Sequence, residues 1–146
     1  KKEKHIFVYS LVVGESVMSV ASKVSENKGL PIVVKEAGGK VKKEDSIEDW
    51  FAEFRDAEYV VTDSFHGMVF SIIFNKPFSI VMNPSGGNDR YISLLSQLGL
   101  MERIIKDNQI SNLESINWDG VNQKLEALRH ESMNFLKVNF NQTHEE

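Results

Sequence analysis

Residues 58–82 of this chain read EYVVTDSFHGMVFSIIFNKPFSIVM, and this stretch contains one complete structural unit. The apolar, β-branched run at residues 58–62 predicts a strand that is covered on both faces. A helix is predicted at about residues 67–75, because Pro77 disfavours its continuation, and a second strand at residues 78–82. Two neighbouring strands joined by a helix run parallel, so the stretch predicts a parallel sheet.

The same alternation of strands and helices continues on both sides of that unit. Apolar, β-branched runs predict strands, and apolar residues at helical spacing predict amphipathic helices. Repeated units of this kind indicate one α/β domain over residues 1–146, with a mainly parallel sheet between two layers of helices. Strands are predicted at residues 6–13, 31–34 and 104–105, and helices at residues 17–28, 47–54, 91–98 and 118–140.

The composition excludes several classes of protein. The chain has no cysteine, which excludes a disulfide scaffold, a cysteine nucleophile and a thiolate metal site, and favours the reducing cytoplasm. Its net charge of -4 argues against a nucleic-acid-binding surface, and no apolar run reaches the roughly 18 residues of a transmembrane helix. The sequence starts at a strand without an initiator Met, which predicts a piece of a longer protein.

Two loops follow predicted strands and carry the chemically useful side chains. The first loop contains Thr62, Asp63, Ser64 and His66 and ends where the predicted helix begins, at Gly67. Ligands of open parallel sheets bind beyond the carboxyl ends of the strands, and the N–H groups of a helix N-terminus favour an anion there. The imidazole of His66 can donate or accept a proton near neutral pH.

The second loop runs over residues 83–90, where Gly86 and Gly87 allow a ligand to approach the backbone closely. At its end, the Arg90 guanidinium can hold a carboxylate or a phosphate with two hydrogen bonds. Together the two loops predict a site that holds a small anion opposite the imidazole of His66.

Structural roles explain the same residues too. Thr62 and Ser64 also suit turn or capping positions, and Asp63 suits a helix cap. Arg90 also suits a surface ion pair, and the two glycines alone predict a turn. No metal site is predicted, because the other histidines form no metal-binding pattern, and no nucleotide-binding glycine motif is present.

The stretch at residues 58–78, EYVVTDSFHGMVFSIIFNKPF, resembles the polysaccharide pyruvyl transferase family. That family's pattern is a hydrophobic strand, then the segment that corresponds to residues 62–67 (TDSFHG) here, then an apolar helix and K-P-F. The helix before the motif, Asp89-Arg90 and the leucine-rich segment after them extend the similarity to roughly residues 5–105.

The resemblance implies a Rossmann-like domain, the C-terminal and donor-binding half of a glycosyltransferase with two such halves. The missing N-terminal half is therefore an expected partner. The implied bacterial enzyme moves pyruvate from phosphoenolpyruvate to hydroxyls of a sugar or lipid-linked oligosaccharide, as a ketal, in exopolysaccharide or capsule synthesis. It is expected to need no cofactor and to act in the cytoplasm, at the inner face of the membrane, and the isolated piece is expected to be inactive.

The resemblance also assigns roles to residues. His66 is the expected catalytic acid, which protonates the enolpyruvyl methylene. The expected donor-binding residues are Arg90, Ser64 and Gly67, with Asp63, Thr62, Ser85 and Gly86 beside them.

Some family members carry an arginine at the position of Ser64, so either this branch of the family uses a different donor or another cation replaces the arginine here. Arg90 is the first candidate and Arg103 is the second. Two other functions stay open, a nucleotide-sugar-dependent glycosyltransferase and a non-catalytic glycan-binding module.

Overall fold

A computed structural model describes residues 4–11, 14–36, 47–82, 89–105, 116–128 and 130. The strands of this part are β1 (His5–Ser10), β2 (Ile32–Glu36), β3 (Ala57–Thr62), β4 (Phe78–Val81) and β5 (Ile104–Ile105). They form one parallel sheet in the order β2-β1-β3-β4-β5. After β1 the chain forms β2 on one side of that strand and then crosses over to form β3 on its other side. Ligands of such sheets bind at this switch point between β1 and β3.

The helices lie on both faces of the sheet. They are α1 (Glu15–Lys28), α2 (Ile47–Asp56), α3 (Phe65–Ile73), α4 (Asp89–Leu98) and the helical residues 118–128, called α5, with a 3-10 turn at Met101–Arg103. Apolar residues of α1 pack on one face, whereas α2, α3, α4 and α5 contribute to the core on the other face. These are the three layers predicted from the sequence, and the fold is α/β and Rossmann-like.

The strand side chains alternate between the two cores. Phe7 belongs to the larger core with α3 and α4, whereas its neighbours Ile6 and Val8 face α1. All three are 0% exposed, which explains why the sequence of β1 reads as a continuous apolar run.

Several element boundaries differ from the predicted ones. Helix α3 begins at Phe65 and not at Gly67, because the Ser64 side chain caps it there. Helix α4 also begins two residues earlier, at Asp89, and β1 ends at Ser10. The predicted continuation of the last helix to residue 140 lies outside the described residues.

Candidate functional site

Thr62 joins the carboxyl ends of β1 and β3. Its side chain is fully buried, and its hydroxyl donates a hydrogen bond to the backbone carbonyl oxygen of Tyr9 at 2.5 Å. The hydroxyl oxygen of Thr62, Oγ1, also accepts a hydrogen bond from the backbone N–H of Ser64 at 3.0 Å. Thr62 therefore sets the direction in which the chain leaves the sheet towards α3.

Ser64 and Gly67 form the first turn of α3. Ser64 has an extended backbone (φ -100°, ψ 135°), and its hydroxyl accepts the Gly67 N–H at 3.4 Å. A Cβ added at Gly67 would overlap Thr62 Oγ1 and lie 3.0 Å from Tyr9 Cδ2. Glycine at this position therefore lets α3 begin directly against the sheet.

Asp63 holds the end of β1. Its Oδ2 accepts a hydrogen bond from the Ser10 hydroxyl at 2.8 Å, and its Oδ1 accepts one from the Leu11 backbone N–H at 2.7 Å. The cap of α3 is Ser64, so the alternative of Asp63 as the helix cap is wrong. Hydrogen bonds to a carboxylate are stronger than neutral ones, and Asp63 thus fastens β1 and β3 together at the carboxyl edge of the sheet.

His66 is the second residue of α3, and its side chain is exposed. The backbone N–H groups of the first turn create a positively polarised region around it. Its imidazole centroid lies 6.3 Å from that of the preceding Phe65 ring. The imidazole is therefore accessible to a ligand at a helix end that favours anions.

Arg90 is the second residue of α4, and its guanidinium stacks on Phe65. Its Cζ lies 4.1 Å from the ring centroid, within the range of a cation–π interaction. The Arg90 Cζ and the His66 imidazole centroid are therefore at most about 10.4 Å apart, the sum of their distances to the Phe65 ring. Two residues that the sequence placed on separate loops thus share one edge of the sheet.

Tyr91 fastens the start of α4 to the loop after β3. Its hydroxyl donates a hydrogen bond to the Asp63 carbonyl oxygen at 2.8 Å, and its ring centroid lies 5.9 Å from that of Phe65. Burial raises the pKa of Tyr91, the Asp63 carboxylate raises it further, and the positive charge of Arg90 opposes both. The hydroxyl therefore stays protonated near neutral pH and remains a hydrogen-bond donor.

An open groove of about 370 Å³ begins at the Phe65–Arg90 stack. It is lined by two apolar and four polar or charged side chains, Phe65, Leu94, Asp89, Arg90, Ser93 and Gln97. His66 is not among its lining residues, so the groove extends from the Arg90 side of the stack.

Arg103, the second candidate for the donor-binding cation, does not join this group. Arg103 is only 2% exposed and lies beside the hydroxyl of Tyr59, which is itself 2.5 Å from the Ser79 hydroxyl. Burial raises the pKa of Tyr59, while Ser79 and Arg103 act in the opposite direction. Because Tyr59 lies three residues before the end of β3, Arg103 is buried beside the body of the strand and not at its carboxyl end. Ser85 and Gly86 lie outside the described residues.

Sequence reasoning missed the parts played by Ser10, Phe65 and Tyr91. A hydroxyl at the end of the apolar β1 run was the available signal for Ser10, since it follows a strand just as Asp63 does. A tyrosine hydroxyl beside Arg90 was a comparable signal for Tyr91. The available signal for Phe65 was its place in the motif, directly before His66, which the other phenylalanine of α3 does not share.

The family model for polysaccharide pyruvyl transferase matches residues 1–85 of the chain. The chain belongs to this family. Membership in the polysaccharide pyruvyl transferase family indicates a transferase that handles a sugar or polysaccharide acceptor, and the match confirms the resemblance in the sequence as far as residue 85. The matched residues include the whole loop at residues 62–67, whereas Arg90 lies beyond them.

No curated protein matches this member of the polysaccharide pyruvyl transferase family. A chain from the crystal structure of the RPS4 and RRS1 TIR domain heterodimer is similar to it, with 19% identity and a TM-score of 0.44, over 88% of this chain and 97% of that one. A TM-score this low carries no argument about function. None of the helices in the described ranges has the length and apolar character needed to span a membrane.

Proposed function

We propose that this chain is the donor-binding half of a polysaccharide pyruvyl transferase that takes phosphoenolpyruvate as its donor. The observation that carries the proposal is that the exposed His66 and the Phe65-stacked Arg90 lie within about 10.4 Å of each other at the carboxyl edge of the sheet. Phosphoenolpyruvate has two anionic groups and a double bond that must accept a proton. A guanidinium, a helix N-terminus and an imidazole suit these three requirements.

Arg90 holds one anionic group of the donor with two hydrogen bonds, and the first turn of α3 receives the other. Relatives with an arginine at position 64 supply a cation from α3, but Ser64 here is 2% exposed and caps the helix. Arg103 is equally buried and lies against Tyr59, so Arg90 is the better replacement. Ser85 and Gly86 stay predicted donor contacts from the neighbouring loop.

His66 acts as the general acid. It gives a proton to the methylene carbon of phosphoenolpyruvate, which becomes a methyl group and leaves the central carbon electrophilic. One sugar hydroxyl adds to that carbon, the phosphate leaves, and a second hydroxyl closes the ketal. The hydroxyls lose two protons, of which one balances the proton in the new methyl group and one leaves with inorganic phosphate.

Thr62, Asp63 and Gly67 support this chemistry by holding the two strand ends and the start of α3 in place. An N-terminal Rossmann-like half supplies the other wall of the cleft, where the sugar or lipid-linked oligosaccharide binds. The product belongs to a bacterial exopolysaccharide or capsule made in the cytoplasm at the inner face of the membrane, and the reaction needs no cofactor. The chain alone would bind the donor but turn over poorly.

Ketal formation by the full-length protein tests the role of His66. With phosphoenolpyruvate and a sugar acceptor, we expect His66→Gln to lower kcat by roughly 10²–10⁴-fold, the usual contribution of a general acid. His130→Gln is the matched control, because His130 is also an exposed helical histidine, with a side chain 78% exposed. Full activity of His66→Gln would contradict the mechanism.

Calorimetric titration of the chain tests the donor. We expect Arg90→Met to weaken phosphoenolpyruvate binding roughly ten- to a hundred-fold, as for other hydrogen bonds to charged groups. Arg55→Met is the matched control, since Arg55 has a side chain 65% exposed at the end of α2. Tighter binding of UDP would indicate a nucleotide-sugar glycosyltransferase, and binding of an oligosaccharide alone would indicate a glycan-binding module.

A further inference from the structure

We propose that Phe65 is a positioning residue that acts through Arg90. Its ring holds the Arg90 guanidinium at the helix start that contains the proposed general acid, His66. The inference rests on the proposed function, because it concerns how the donor's anionic group is held. It assigns to Phe65 a purpose beyond the packing expected of an apolar side chain in α3.

The first observation is the geometry of the stack. Arg90 is exposed, and an exposed arginine without a fixed contact samples many conformations that binding must then restrict. The Arg90 Cζ lies 4.1 Å from the centre of the Phe65 ring. A guanidinium that stacks through its face keeps the N–H groups at its edges available, and these are the groups that grip a carboxylate or a phosphate.

The second observation is that Phe65 is itself held. It is half-buried and packs against the larger core, and its ring lies 5.9 Å from that of Tyr91. The Tyr91 hydroxyl donates a hydrogen bond to the Asp63 carbonyl oxygen at 2.8 Å. The ring is therefore held in position between α3 and α4, and the guanidinium that stacks on it is held with it.

The third observation is the order of residues along the chain. Phe65 directly precedes His66 in the first turn of α3, while Arg90 comes from α4. The ring that holds the cation and the imidazole that supplies the proton are thus parts of one helical turn. The stack couples the starts of α3 and α4, so that the anion bound by Arg90 keeps its position relative to the His66 imidazole.

The decisive experiment is a double-mutant cycle on phosphoenolpyruvate binding. Phe65→Leu keeps an apolar side chain but removes the aromatic face, and we expect it to raise the Kd roughly two- to five-fold, as for an exposed cation–π contact. Phe65→Trp should restore binding. In an Arg90→Met background, Phe65→Leu should have no further effect, because the group through which it acts is gone.

Phe70→Leu is the matched control, since Phe70 is a half-buried aromatic of the same helix that packs on Phe51 and Phe54. It should leave the Kd for phosphoenolpyruvate unchanged. In the full-length enzyme, Phe65→Leu should raise the KM for phosphoenolpyruvate and leave kcat nearly unchanged. A general disturbance of the fold would lower kcat as well.

A second measurement needs no ligand. Nitrogen-15 relaxation of the Arg90 side-chain Nε should show restricted motion in the unchanged chain and in Phe65→Trp, but free motion in Phe65→Leu. Free motion of Arg90 in the unchanged chain would overturn the inference. The inference would also be overturned if Phe65→Leu weakened phosphoenolpyruvate binding equally in the unchanged and the Arg90→Met backgrounds, even if that binding depends on Arg90. An unchanged chain that binds no phosphoenolpyruvate would overturn the proposed function, and the inference with it, whereas the two outcomes above overturn the inference alone.

Discussion

Replacing Gly67 by alanine is expected to damage the candidate site from within the fold. The added Cβ would overlap Thr62 Oγ1 and lie 3.0 Å from both Thr62 Cβ and Tyr9 Cδ2. None of these atoms belongs to the free end of a long side chain. Thr62 Oγ1 also cannot move without losing its hydrogen bonds to the Tyr9 carbonyl and the Ser64 N–H.

The size of the effect is the balance of three contributions. Alanine is the better helix former and would stabilise α3 by about 1 kcal/mol. Overpacking of a close-packed site costs about 1–3 kcal/mol, and the two threatened hydrogen bonds of Thr62 contribute about 1 kcal/mol each. We therefore expect Gly67→Ala to lower the free energy of unfolding by about 2–4 kcal/mol.

Urea denaturation of the chain measures this change. Gly120→Ala is the matched control, because the nearest atom to its added Cβ is Asn117 Nδ2 at 3.7 Å, an ordinary contact. This control should keep or slightly increase the stability. The double variant Thr62→Ala/Gly67→Ala should lose less than the two single changes together, since the overlapping hydroxyl is absent. A neutral Gly67→Ala, or full additivity in the double variant, would refute this account of the turn.

Two further predictions concern the groups around the site. Asp63→Ala should lower the free energy of unfolding by about 2–4 kcal/mol, measured in urea, because the Ser10 hydroxyl and the Leu11 N–H lose their charged acceptors. Burial raises the pKa of Tyr9, Tyr59 and Tyr91 above their usual value near 10. The unfolded tyrosines ionise first, so stability should fall as pH rises through about 10, and Tyr91→Phe should reduce that fall. A flat stability profile between about pH 9 and 11 would contradict this reasoning.

The parts of the fold that were predictable from the sequence are those set by local patterns. The β-branched runs of β1 and β3 and the helix between β3 and β4 predict a parallel sheet, because parallel neighbouring strands need a crossover connection and a helix of this length supplies one. The placement of His66 and Arg90 at one edge follows from the same rule, since both come after strands whose carboxyl ends meet there.

The parts that were not predictable are contacts between residues far apart in sequence. The carboxylate of Asp63 is bound by Ser10 and Leu11, more than fifty positions earlier, so its neighbours in sequence gave no sign of its role. The stack of Arg90 on Phe65 likewise depends on the distance between two helix starts. That distance is set by the packing of α3 against α4 and by the hydrogen bond of Tyr91, not by any local preference.

Under the proposed function, a division of roles between two helix starts explains why Ser64 stands where some relatives carry an arginine. A side chain at position 64 sits 2% exposed between the sheet and the first turn of α3, where a small hydroxyl can cap the helix. A guanidinium at that position would give up the cap and would have to extend past Thr62 and Phe65 to reach a ligand. Supplying the cation from Arg90 keeps the cap and leaves the charge exposed, provided that something fixes the long side chain. Phe65, one residue from the cap and one from the imidazole, is in the place where that support is needed.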